Sequence, residues 1–166
     1  MPLIILLLFN TVIWQEDFTD GPQTMAQLFE YTIVISHQDS RIVLTGNPQF
    51  EGFSSAWFYL DRDLTFDDNN ILEILLRVKC NKVRINYFYR REGSPVYFGG
   101  EVCISPSDEW QTIAIPFKDS KAFYSSNFPF ALTPGKLPTL YLFIDNLLPG
   151  EFEVEIDKIL VRTKEE

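Results

Sequence analysis

Aromatic residues recur at alternate positions beside Arg, Asn and Asp in several stretches of the chain. Trp57 and Tyr59 stand two apart, Asn86, Phe88 and Arg90 alternate, and so do Tyr141, Phe143 and Asp145; Arg77 falls in a similar alternating run. A spacing of two places residues on one face of a β-strand. Rings beside planar polar groups suit sugars. A sugar ring offers an apolar C–H face for stacking and equatorial hydroxyls for multidentate hydrogen bonding. These residues are therefore candidate contacts for a polysaccharide or oligosaccharide. A competing expectation is that residues 118–138, with Phe123, Tyr124, Phe128 and Phe130, pack down onto the same face and make it a second core.

Catalytic signals are sparse. The sole histidine, His37, falls in an expected turn, and no metal-ligand spacing, nucleophile elbow or Gly-rich phosphate loop is present. A glycosidase needs two carboxylates facing each other across a cleft. Glu73 and Asp145 are the pair that non-core faces of strands would offer, and a Tyr–Arg arrangement would serve a lyase. The acidic runs at 61–63 and 67–68 read as solvated turns. The chain is expected not to be an enzyme, with a jelly-roll hydrolase or lyase as the remaining alternative.

The elements that position these residues are almost all strands. Short apolar runs are separated by turn residues throughout, the signature of an all-β sandwich. Strands are expected within residues 4–14, then at 31–36 and 41–45 as a hairpin around 37–40, and at 55–60, 71–79, 83–90, 97–104, 111–117, 139–145 and 151–162. Residues 22–29 are expected to form one or two helical turns. Period-2 phasing buries Leu72, Ile74, Leu76 and Val78; Val83, Ile85, Tyr87 and Tyr89; Ala56, Phe58 and Leu60; and Leu140, Leu142 and Ile144. Trp14 and Trp110 are expected to pack structurally.

The 166 residues suffice for one domain with a sizeable core, expected to span 1–166. Within it, 1–13 is either an early strand or the remnant of a signal segment: the apolar run at 2–9 has no basic flank and is too short to span a membrane. Basic residues number 14 against 23 acidic, a net charge of −9, which disfavours nucleic acid and anionic membrane as partners. Cys80 and Cys103 allow one bridge or two buried thiols.

The order of several segments resembles that of galactose-binding-like β-sandwiches, specifically carbohydrate-binding modules of the family 11 type and the complex I intermediate-associated protein 30 domains. The segments are WQEDFTDG at 14–21, AWFYLDRDLTFDDNNILEILLRVK at 56–79, EWQTIAIPFKD at 109–119 and EFEVEIDKILV at 151–161. The resemblance implies an all-β jelly roll of two antiparallel sheets and a concave face that contacts sugars. It also implies a structural calcium held by Glu16, Asp17, Asp20 and Asp157, whose hard oxygens suit that ion; no other cofactor is expected. The function implied is a non-catalytic module docking a neutral polysaccharide, accompanying a hydrolase or another protein, outside the cell or on its surface. The alternative is a protein-interaction domain of the intermediate-associated type.

Overall fold

The computed structural model describes residues 11–19, 25–29, 33–50, 55–60, 64–91, 94, 96–123 and 139–164, with 25–29, 33, 55–59 and 123 described by backbone alone. The described residues form twelve strands: β1 (Val12–Glu16), β2 (Met25–Phe29), β3 (Ile33–Gln38), β4 (Arg41–Gly46), β5 (Ser55–Leu60), β6 (Asn70–Cys80), β7 (Val83–Arg90), β8 (Tyr97–Ile104), β9 (Gln111–Pro116), β10 (Lys121–Phe123), β11 (Leu140–Asn146) and β12 (Phe152–Thr163). They pair antiparallel into two six-stranded sheets. The first runs β3-β4-β12-β6-β9, with β1 also on β12; the second runs β10-β8-β7-β11-β5-β2. This is an all-β sandwich, as the alternation of apolar and polar residues predicts.

Strand β12 shows how sequence sets that register. Its core residues Val154 and Ile156 are two apart, but Ile159 follows after three. A register shift against β6 between Ile156 and Lys158 absorbs the extra residue, so Ile159 and Val161 return to the buried side. The break also divides its partners: β4 pairs as far as Ile156, and β1 pairs from Ile159 onward.

The core lies between the sheets. Leu72, Ile74, Leu76 and Val78 of β6 face Val83, Ile85, Tyr87 and Tyr89 of β7, with Leu140, Leu142 and Ile144 of β11 beside them, as phased. Each such aliphatic side chain contributes about 1.5–3 kcal/mol by leaving water. Tyr89 stacks on Phe117 with ring centroids 3.9 Å apart, and its hydroxyl donates to the Phe117 carbonyl at 3.3 Å. Burial pushes the Tyr89 phenol up to about 12. Trp14 is buried in this core.

Four expectations need correction. The segment expected to turn helically ends instead in β2, which pairs with β5; edge pairing satisfies its backbone and overrides a weak local preference. The β3–β4 turn is two residues, Asp39 and Ser40, both at positive φ (48° and 59°), the primed geometry that matches strand twist, so His37 and Gln38 belong to β3. Strand β10 was not expected; it is three residues long and opens with a lysine. Of the two readings for the thiols, neither holds in full: Cys80, ending β6, and Cys103, on β8, are free and lie on different sheets, and Cys103 is exposed. The apolar run at 2–9 lies outside the described residues.

Candidate functional site

The outer face of the second sheet gathers most of the candidate residues. Cross-strand partners share a face, and three rows can be followed across the sheet. Lys121, Gly99, Phe88, Tyr141 and Tyr59 are successive partners; so are Glu101, Asn86, Phe143 and Trp57; Cys103, Arg84, Asp145 and Ser55 form the third. Arg90 lies opposite Tyr97 beside them. Trp57 and Tyr59 are placed here by backbone register; their side chains lie outside the described residues.

Within this face the rings touch. Phe88 and Phe143 meet edge to face at 5.8 Å, Tyr141 and Phe143 stack at 5.8 Å, and Tyr97 approaches Tyr141 at 6.0 Å. Asp145 anchors the polar groups: its Oδ2 accepts from Asn86 Nδ2 at 2.7 Å and from Arg84 Nη2 at 3.3 Å. Exposure divides the face in two. Tyr97, Tyr141, Phe143 and Asp145 are 4–8% exposed, whereas Asn86, Phe88 and Arg90 are half-buried, and Glu101 and Lys121 are exposed.

A cleft of about 560 Å³ lies where β7 and β8 of the second sheet approach β9, the edge strand of the first. It is lined by Asn86, Tyr87 and Phe88, by Gly99 to Val102 and by Ala114–Pro116, with Asp119 and Lys121 beside them. The glycine pair makes room for rings. A β-carbon on Gly99 would overlap the Tyr87 carbonyl oxygen and come within 2.7 Å of the Phe88 ring; one on Gly100 would meet the Tyr87 hydroxyl at 3.0 Å. That hydroxyl is hydrogen-bonded to Ser120 Oγ at 3.0 Å, which fixes the ring. Gly99, Glu101, Asp119 and Lys121 were missed in the sequence; two adjacent glycines inside a strand were the available signal for close approach.

Arg77 is not brought to this face. It lies on β6, on the outer side of the first sheet, where Nη2 donates to Glu155 at 2.6 Å and the guanidinium covers Trp110 at 5.0 Å. Arg41 covers the same ring at 5.1 Å, so Trp110 packs between two arginines. Glu73 also lies on that outer side, paired with Arg162 at 2.7 Å. Glu73 and Asp145 thus point away from each other across sheets that pack about 10 Å apart, and no cleft lies between them. His37 Nε2 donates to the Phe18 carbonyl at 2.6 Å.

Three of the four implied calcium ligands are described, and each has a protein partner. Glu16 Oε1 accepts the Phe18 N–H at 2.9 Å; Asp17 Oδ1 accepts from the Thr19 hydroxyl and N–H, which hold its carboxyl below the usual range; Asp157 pairs with Arg41 at 3.2 Å. Asp20 lies outside the described residues. Among the described residues no group of three or more His, Cys, Asp and Glu is placed to hold a metal ion. No described helix is long and apolar enough to cross a membrane.

No family model matches the chain, and no curated protein matches it in sequence. Solved structures share its fold. PfGH50B matches with a TM-score of 0.61 at 11% identity, over 95% of this chain and 24% of its own, so the present chain spans about a quarter of that protein. The CBM1 of BiXyn10A matches with a TM-score of 0.60 at 12% identity, over 93% of this chain and 100% of its own. A family 29 carbohydrate-binding module mutant complexed with cellulohexaose gives a TM-score of 0.52 at 15% identity, over 94% and 92%. The fold is the β-sandwich of carbohydrate-binding modules.

Proposed function

We propose that the chain is a non-catalytic carbohydrate-binding module that docks a neutral glycan on the outer face of its second sheet. The observation that carries the reading is the half-buried Phe88 ring at the edge of an open cleft, with Asn86 and Glu101 side by side in the next row. The ring stacks on the C–H face of a sugar, and the amide and carboxylate bind its hydroxyls. Asp145, itself paired with Arg84, holds Asn86 in place. Arg90, Tyr141, Phe143, Trp57 and Tyr59 extend the same face, and the segments resembling family 11 modules point the same way. Structures of this fold that are themselves carbohydrate-binding modules match over nearly their whole length. The match to a quarter of the PfGH50B chain suits a module that accompanies a larger protein. A glycan ligand would place the chain outside the cell or on its surface.

The test is a glycan microarray carrying oligosaccharides and polysaccharides. We expect binding to one neutral class, reduced at least tenfold in Phe88→Ala while the circular dichroism spectrum stays native. Unchanged binding in that variant would remove the platform.

One observation favours a second reading, a protein-docking domain. Phe50 and Leu148 are 64% and 54% exposed at one end of the sandwich, where Asn146 Nδ2 donates to both of their carbonyls, at 2.8 and 3.2 Å. Exposed apolar residues brought together in this way suit a partner surface. Concentration-dependent self-association on size-exclusion, lost in Phe50→Ser, would favour it.

A further inference from the structure

We infer that the Tyr87 hydroxyl recognises one hydroxyl of the bound glycan, at the gap that Gly100 leaves in β8. The inference rests on the glycan reading above and deepens it, naming a residue that sets which sugar is accepted.

Tyr87 is phased toward the core and is 4% exposed, yet it lines the cleft. Its cross-strand partner accounts for this. Of the two inward tyrosines of β7, Tyr89 lies opposite Phe98 and Tyr87 opposite Gly100. A β-carbon on Gly100 would stand 3.0 Å from the Tyr87 hydroxyl, 3.2 Å from Cε1 and 3.3 Å from Cζ, so the far end of the ring lies over that glycine. Gly100 is half-buried and lines the cleft as well. Glycine inside a strand packs nothing and costs conformational entropy, so this position marks a close approach. Ser120 places the hydroxyl from the other side. Its Oγ lies 3.0 Å from the phenol oxygen, and its chain neighbours Asp119 and Lys121 both line the cleft.

The phenol is held. Its ring stacks on Phe117, with centroids 5.9 Å apart and planes within 10°, and Ser120 fixes the tip. A phenol both donates and accepts, and the bond to Ser120 uses one of the two functions. The other is left for a ligand. Stacking on Phe88 tolerates many arrangements of hydroxyls, since it engages only the C–H face of a sugar. A fixed, desolvated hydroxyl does not: a sugar lacking its counterpart leaves a buried polar group unpaired, which discriminates more sharply than an apolar contact.

Isothermal titration with cellotriose, xylotriose and mannotriose, and then with the monodeoxy derivatives of the one that binds, tests the inference. One derivative should bind the unmodified protein at least about fivefold more weakly than its parent. Tyr87→Phe should bind the parent with that same loss, and should bind that derivative as the unmodified protein does. Gly100→Ala, which sets a β-carbon against the hydroxyl, should give the same pattern and decides alone if Tyr87→Phe does not fold. Parent affinity within twofold of the unmodified protein, or an equal loss for the parent and every derivative, overturns the inference and leaves the glycan reading standing. If the folded unmodified protein binds none of the three, the glycan reading fails and this inference with it.

Discussion

Phe18 holds a left-handed backbone conformation, with φ at 59°, while its side chain is wholly buried. Such a conformation costs on the order of 1–3 kcal/mol in a residue other than glycine. Two contacts sustain it: Glu16 Oε1 accepts the Phe18 N–H, and His37 donates to the Phe18 carbonyl. Removing the acceptor leaves a buried N–H without its partner. Glu16→Ala should lower unfolding free energy by about 1–3 kcal/mol in urea, and Glu16→Gln, which keeps an acceptor, by less. Equal losses in both would assign the effect to packing. Tyr89 carries a pH dependence of defined sign. Its phenol titrates near 12 in the fold because burial disfavours the phenolate, against 10.0 ordinarily. Between pH 10 and 12 the unfolded chain releases this proton and the folded chain keeps it, so stability falls as pH rises. Burial raises Tyr87 as well and adds in the same direction. Tyr89→Phe should therefore flatten the alkaline decline in melting temperature without abolishing it. A decline as steep as that of the unmodified protein would exclude Tyr89 as a source.

The strands themselves were largely legible. β7 runs where its alternation places it, because it buries one face and a slip of one residue would expose it. The sheet to which each strand belongs was not legible. β6 and β7 are joined by two residues, Asn81 and Lys82, yet they lie in opposite sheets, and alternation says only which residues point outward. That is why Arg77 and Glu73, both outward-facing, were grouped with residues on the far side of the sandwich. Register placed Asn86, Phe88, Tyr141 and Phe143 on one face, but alternation cannot report that Tyr141 and Phe143 are buried and Phe88 half-buried. The part of the cleft that depends on small residues was missed because period-2 phasing follows side chains, and only the adjacency of Gly99 and Gly100 marked it. Its importance is testable on β8. Gly99→Ala would drive a β-carbon against the backbone of Tyr87 and into the Phe88 ring. The β7–β8 pair must separate or the ring must move, and we expect a loss of at least about 2 kcal/mol together with loss of glycan binding. A native melting temperature and native affinity in this variant would show that β8 yields cheaply, and that the glycine pair does not shape the site.

At the scale of the whole molecule, charge decides among ligand classes. The chain carries −9, and the cleft is bordered by two carboxylates, Glu101 and Asp119, against one ammonium, Lys121. A polyanion, whether nucleic acid or uronate-rich glycan, would meet a repulsive field and gain little from counterion release, which requires clustered Lys and Arg. Stacking of a neutral sugar on Phe88 and hydrogen bonds to its hydroxyls involve no net charge on the ligand. Their strength should scarcely change as the screening length falls from about 30 Å at 0.01 M salt to about 3 Å at 1 M. We therefore expect affinity for the bound glycan to vary by less than about twofold across that range. A polyanion held at low salt and released at high salt would have to be bound by the few basic residues at the cleft. That outcome, abolished by Lys121→Ala, would replace the neutral sugar with a charged one while leaving the site where the geometry puts it.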